Sequence, residues 1–278
     1  MMKPNENGVI VHNYVLPIPH IAKKVLYHFS DIHLTESDAL SATEEVRRAA
    51  DQTEHWETTR KDFALQYGEP YETVQKKSAA AHLKALLQVA QSGDAFVMAG
   101  DISDYNAEAN FRTIERCLAE VTTPFLAVSG NHEEAEAIAD TYRYSAIKQP
   151  VQTLDLGDLV VCGVHNAQRC ITAAQNAEIE ALLQGEKPVI FLMHVPIMTD
   201  GNRELLTQSG PYFQLNHAEA SAETLRFIEL LKTYADNIVA VLCGHLHFLN
   251  ESEIVPGLTQ YVSSQGILGH INRYEIGV

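Results

Sequence analysis

Cysteine is scarce in this 278-residue chain: four residues, Cys117, Cys162, Cys170 and Cys243, spread far apart. That spacing, in mostly apolar or helical contexts, suggests buried thiols in a reducing compartment rather than a disulfide framework or a zinc cluster. Basic residues are also few. Twenty Lys and Arg face 36 Asp and Glu, for a net charge of −16. Such a surface repels polynucleotides unless a local basic groove exists, and the basic pairs 23–24, 47–48, 60–61 and 76–77 are scattered among acids. No apolar run approaches the roughly 18 residues of a membrane span. The opening residues MMKPNENGVIVHNY lack a basic segment followed by an apolar core, so no signal peptide is expected and the cytoplasm is the expected compartment. Internal repeats, low-complexity tracts and Gly/Ser linkers are absent too.

What remains is ordinary globular composition, 46% hydrophobic and 20% charged. A chain of this length in an α/β pattern is expected to fold as one domain, 1–278. Short apolar runs bounded by polar residues read as buried strands at 25–30, 95–100, 124–130, 189–193 and 238–244. Further strands are expected near 149–154, 159–164, 253–255, 260–263 and 272–276. Helical spacing marks 71–91, 106–120, 172–183 and 220–235, and 41–64 is rich in Glu, Arg, Ala and Thr. Residues 67–70, Tyr-Gly-Glu-Pro, break the two helical stretches of a long region, about 36–80, that reads as an insertion. Residues 200–219, with Gly201, Gly210 and Pro211, read as an irregular loop beside the site. Strand and helix alternate in both halves, and the chain closes on a strand meander. The expected fold is therefore α/β, with two mixed sheets stacked and helices outside.

Each of the five strong runs ends on a metal-ligand side chain. They lead to Asp31 and His33, to Asp101, to Asn131, to His194, and to His245 and His247. Strands that all present polar groups at their C-terminal ends build a site along one edge, and seven ligands are about what two ions need. Taken singly the motifs are weak. Asp31-x-His33 also reads as a capping Asp with a surface His. Gly100-Asp101-x-x-Asp104 also reads as a strand-to-helix turn with a capping Asp, and Gly130-Asn131-His132-Glu133 as an ordinary Gly-Asn turn. His132 follows a ligand position directly, so its side chain should turn toward a substrate. His165 is at an expected strand end. Asn202, Tyr212 and His217 lie in the 200–219 segment and could border a substrate. His12, His20, His55, His82 and His270 read as surface or packing residues. Trp56, the lone tryptophan, reads as packing or as a lid contact.

In order, D-x-H, G-D-x-x-D, G-N-H-E, H and G-H-x-H resemble the calcineurin-like metallophosphoesterase superfamily over residues 31–247. The context of Asp31 is similar to class III cyclic-nucleotide phosphodiesterases and related bacterial phosphohydrolases. Met193-His194-Val195-Pro196 and Cys162-Gly-Val-His165-Asn166 depart from that branch, as does the length of residues 36–92. The resemblance implies a four-layer αββα sandwich. It implies one ion held by Asp31, His33, Asp101 and His247 and a second by Asp101, Asn131, His194 and His245, with a bridging hydroxide as nucleophile. It also implies a His132–Asp104 pair that protonates the leaving oxygen or steadies the phosphoryl charge. Two carboxylate ligands leave positive charge over for a phosphate ester. Mixed imidazole and carboxylate ligands suit manganese, iron, zinc, cobalt or nickel better than magnesium or calcium. The expected activity is hydrolysis of a small phosphomonoester or phosphodiester. A nuclease of the same superfamily and a non-catalytic scaffold are the alternatives, and oligomeric state is left open.

Overall fold

The structure, a computed structural model, describes residues 5–66 and 77–278. Among the described residues, eleven strands in two sheets and six α-helices occur in the order β1 (Ile10–Leu16), β2 (Lys24–Phe29), α1 (Thr43–Gln66), α2 (Ala79–Ala90), β3 (Ala95–Met98), α3 (Glu108–Leu118), β4 (Phe125–Ala127), β5 (Val151–Asp155), β6 (Val160–Val164), α4 (Ala173–Leu183), β7 (Val189–Leu192), α5 (Arg203–Ser209), α6 (Ala222–Thr233), β8 (Ile238–Cys243), β9 (Asn250–Val255), β10 (Leu258–Val262) and β11 (His270–Ile276). The first sheet runs β1-β11-β2-β3-β4 and the second β5-β6-β7-β8-β10-β9. Both mix parallel and antiparallel pairs: β2, β3 and β4 are parallel, as are β6, β7 and β8.

Alternation along the central strands explains why they read as continuous apolar runs: both faces are covered. On β3, Val97 faces the second sheet with Leu26, Leu126, Ile190, Leu192 and Leu242, in one inter-sheet cluster. Phe96 and Met98 face outward, onto Leu83 and Leu86 of α2 and Phe111 and Ile114 of α3. Phe191 of β7 packs the other way, onto Ile179 of α4 and Phe227 and Leu231 of α6. The layers are therefore helix, sheet, sheet, helix.

Four expectations are corrected. Strand β1 carries His12 and Asn13 inside its apolar pattern and escaped notice; it pairs in parallel with β11, and His12 is buried against His270. The 200–219 segment is not an irregular loop throughout: it contains α5 and a 3-10 turn at Pro211–Phe213. Helix α2 begins at Ala79, where the Ser78 hydroxyl accepts from the Ala81 N–H; residues 71–76 and the Tyr67–Pro70 break lie outside the described residues. Of the cysteines, Cys162 and Cys243 are buried, but Cys170 is exposed.

Helix α1 is strongly polar. Among its described residues only Ala49, Trp56 and Arg60 are buried, one stripe at i, i+7 and i+11.

Candidate metal centre

Asp31, Asp101, Asn131, His194 and His245 all lie within four residues past the ends of β2, β3, β4, β7 and β8. The segments after β2 and β3 run side by side. The Asp31 N–H donates to the Gly100 carbonyl, the Ile32 and His33 N–H groups to the Asp101 carbonyl, and the Leu34 N–H to the Ile102 carbonyl. Tight turning has a backbone signature. Seven non-glycine residues among those described have positive φ, and five are Asp31 (56°), His33 (50°), Asp101 (52°), His245 (74°) and His247 (58°). L-residues pay about 1–2 kcal/mol each for this conformation. Two glycines ahead of the ligands have no room for a side chain. A Cβ on Gly100, at φ 87°, would lie 2.6 Å from the Gly130 nitrogen, and one on Gly130 would collide with the Asp101 carboxylate.

The side chains gather into two groups. In the first, Asp31, His33 and His247 each offer a ligand atom, all within 4.8 Å of one another. His247 Nε2 is 3.3 Å from Asp31 Oδ1 and 3.1 Å from His33 Nε2. The second group is Asp101, His194 and His245, equally close. His194 Nε2 lies 3.2 Å from Asp101 Oδ2 and 3.0 Å from Asn131 Oδ1. Asp101 Oδ1 accepts from the His132 N–H at 2.9 Å. His245 Nε2 meets the Tyr212 carbonyl at 3.1 Å, so the 200–219 segment touches this group directly.

Charge is out of balance in a way that suits cations. Asp31, Asp101, His33 and His194 are buried. Burial raises a carboxyl pKa, yet the neighbouring imidazoles outweigh it and hold Asp31 near 2 and Asp101 well below the usual range. Burial likewise opposes charge on His194, but Asp101 and then Asp31 push it up to about 9. The two carboxylates thus draw positive charge into the site. Burial holds His33 and His245 down, His245 to about 4, keeping their lone pairs available as ligands. Buried carboxylates, neutral imidazoles and an amide oxygen fit transition-metal ions and do not fit an all-oxygen calcium or magnesium site.

Asp104 is not a helix cap: α3 starts from Ala107, with no side-chain cap. Its Oδ1 instead accepts from Trp56 Nε1 at 2.8 Å and lies 3.1 Å from His33 Nδ1 and 3.2 Å from His132 Nδ1. His132 Nδ1 also reaches the Asp104 backbone carbonyl at 3.0 Å. Burial opposes charge on His132, but the Asp104 hydrogen bond and the Asp101 and Asp104 charges push its pKa up to about 9.

These groups open into a cavity of about 690 Å³ that includes Asp101, Asn131, His132, His245 and His247. Its walls come from Trp56 and Thr59 of α1, Ser209, Tyr212 and Phe213 around α5, Leu246 and Phe248, and Arg169. Sequence reasoning missed Arg169. It too has positive φ, 56°, and its guanidinium lies 4.7 Å over the Tyr212 ring. No local pattern announces it. Glu133 was visible as part of G-N-H-E, but its task was not: its buried carboxylate holds the segments after β3 and β4 together. Tyr212 borders the cavity; His165, Asn202 and His217 do not. His165 bonds Ser129, and Asn202 is buried against Ile197 and Thr199.

A model of the calcineurin-like phosphoesterase family matches residues 24–249. None of the curated proteins matches the sequence. Among solved structures, a dimetal phosphatase from Danio rerio is similar at TM-score 0.57 and 11% identity, over 87% of this chain and 88% of that one. A putative 5'-nucleotidase from Staphylococcus aureus solved with alpha-ketoglutarate is similar at TM-score 0.48 and 10% identity, over 88% of this chain and 49% of that one. At such identity the first likeness speaks to the fold, in agreement with the stacked sheets described above.

Proposed function

The chain belongs to the calcineurin-like phosphoesterase family and is a metal-dependent phosphohydrolase; from that premise we propose that it uses two transition-metal ions to hydrolyse a small phosphate ester. The observation that carries the two-ion reading is the concentration of left-handed backbone in five of the seven ligand positions. Strain of this kind persists where the surrounding structure over-determines it, and it clusters at functional sites. Asp31, His33 and His247 would hold one ion, and Asn131, His194 and His245 the other, with Asp101 between them. Manganese, iron and zinc suit the donor set. Such a pair, when bound, polarises phosphoryl oxygens and lowers the pKa of water.

The chain's own residues supply the rest. His132, tied through Nδ1 to Asp104, keeps Nε2 for the cavity, where it can give a proton to the leaving oxygen. Asp104 orients that ring and favours its protonated form. Arg169, the one Lys or Arg among the described residues lining the cavity, draws in an anionic ester. Trp56, Tyr212, Phe213 and Phe248 give an organic leaving group an apolar wall and exclude water. The net charge of −16 favours a small ester over a polynucleotide. Four free cysteines agree with a reducing compartment such as the cytoplasm.

The test is a panel of phosphomonoesters, phosphodiesters and cyclic nucleotides. Protein stripped by chelator should be inactive on all of them, and added manganese should restore hydrolysis of at least one class. Folded, metal-replete protein that cleaves none of them would favour the scaffold alternative.

A further inference from the structure

Trp56 is 48 residues from Asp104 in sequence and sits on a helix that contributes no candidate ligand. Yet its Nε1 donates to Asp104 Oδ1 at 2.8 Å, and its ring stacks on His33 with centroids 4.0 Å apart and planes 27° apart. It also packs in an apolar cluster with Ile267 and Leu268. A second cavity of about 520 Å³, lined by His33, Thr35, Ala49 and Arg60 among others, lies behind it. Helix α1 is nonetheless tied to the rim: besides Trp56, Ala49 and Arg60 are buried, Arg48 lies 3.9 Å over the Tyr105 ring and the Thr53 hydroxyl meets that of Thr35 at 2.8 Å.

We propose that Trp56 is a positioning residue, through which the polar helix α1 fixes the Asp104 carboxylate and the His33 ring at the metal centre. The inference rests on the two-ion reading above. A carboxylate turns easily about its terminal torsion, whose preferences are broad. An indole N–H held by hydrophobic packing pins it. The pinned Oδ1 then faces the Nδ1 atoms of both His33 and His132. His33, donating from Nδ1, keeps the Nε2 lone pair for the Asp31–His247 group. His132, donating from its own Nδ1, keeps Nε2 for the cavity. One oxygen therefore sets the tautomers of a ligand and of the proton donor, and Trp56 sets that oxygen.

W56F separates the parts of this arrangement: it keeps an aromatic ring over His33 and removes the N–H. It should still bind two manganese ions, the one at the Asp31–His33–His247 group more weakly than in the wild type because His33 loses part of its outer support, and keep KM within about twofold. Its kcat should fall by about tenfold, the scale of one lost hydrogen bond to a charged group, and more steeply for basic leaving groups, because the effect passes through His132. An unchanged kcat with a lowered melting temperature would reduce Trp56 to packing, and a raised KM alone would make it a substrate contact; either result overturns the proposal. Because Trp56 is the only tryptophan, the wild type has one indole N–H resonance, and this decides the matter even if W56F does not fold. That resonance should exchange slowly with solvent and shift in D104N. Fast exchange, or the same position in D104N, would overturn the hydrogen bond and the proposal with it. The resonance is read without metal. Wild type that binds no manganese while its indole behaves as expected would therefore defeat the two-ion reading separately.

Discussion

Replacing Glu133 with alanine should loosen the two segments that carry Asp101 and Asn131. Glu133 Oε1 accepts from the Ile102 and Ser103 N–H groups, each at 2.9 Å, and from the Tyr144 hydroxyl at 2.7 Å. Its Oε2 accepts from the Gly130 N–H at 2.9 Å. The carboxylate is buried, so truncation strands four donors away from bulk water. Each stranded donor costs about 1–3 kcal/mol, which brackets the total at roughly 4–12. Water entering the emptied space recovers part of this, so the lower end, about 4 kcal/mol, is the expected loss. A domain has only about 5–15 kcal/mol in all. E133Q should cost less, about 1–3 kcal/mol, because its amide oxygen can serve three donors while its NH₂ opposes only the Gly130 N–H. Urea unfolding of metal-free protein measures the loss as a shift of midpoint at constant slope. Manganese affinity should drop in the same order, wild type, E133Q, E133A. A loss under about 1 kcal/mol for E133A, against the roughly 4 expected from four stranded donors, would refute the idea that this carboxylate ties the two segments.

Three further outcomes follow from the same geometry. H132A should retain its metals and lose about 10²–10⁴-fold in turnover, with the larger losses on poor alkoxide leaving groups; equal losses across leaving groups, nitrophenyl esters included, would rule out proton donation. R169A should raise KM for anionic esters by about tenfold, the scale of one charged hydrogen bond, with kcat nearly unchanged; an unaltered KM would place Arg169 outside substrate contact. His82 is buried, without a hydrogen-bond partner for either ring nitrogen, and burial first, then Arg60, lower its pKa to about 3. The unfolded chain therefore takes up this proton as pH falls below about 6.5 while the folded chain refuses it until about 3. Stability lost to His82 between those values changes by up to about 1.4 kcal/mol per pH unit. H82L should flatten the acid limb of the stability curve, and an identical slope between pH 6 and pH 4 would count against it.

Why some of this was legible in the sequence and some was not has physical reasons. Strands β2, β3, β7 and β8 are covered on both faces, so Val25, Phe96, Ile190 and Val241 all lie in apolar runs with sharp polar ends. The candidate ligands sit just past those ends, within reach of pattern reading. Strand β1 is different: it lies at a sheet edge and hides His12 by stacking it on His270, a contact 258 residues distant. Helix α5 is seven residues long, without a side-chain cap, and lies between Gly201-Asn202 and Gly210-Pro211, with Gly210 at φ 106°, so the turn residues that flank it outweigh its short helical pattern. The contribution of Trp56 depends on where α1 is docked, which no local spacing encodes. Arg169 was hidden because left-handed backbone at a non-glycine residue leaves no mark in composition.

The most direct test of the central claim is a crystal structure of the protein grown with manganese, with the ions placed by their anomalous signal. Two ions are expected per chain, one within the Asp31, His33 and His247 group and one within the Asp101, His194 and His245 group. A single ion remote from Asp101, or none at either group, would contradict the two-ion account.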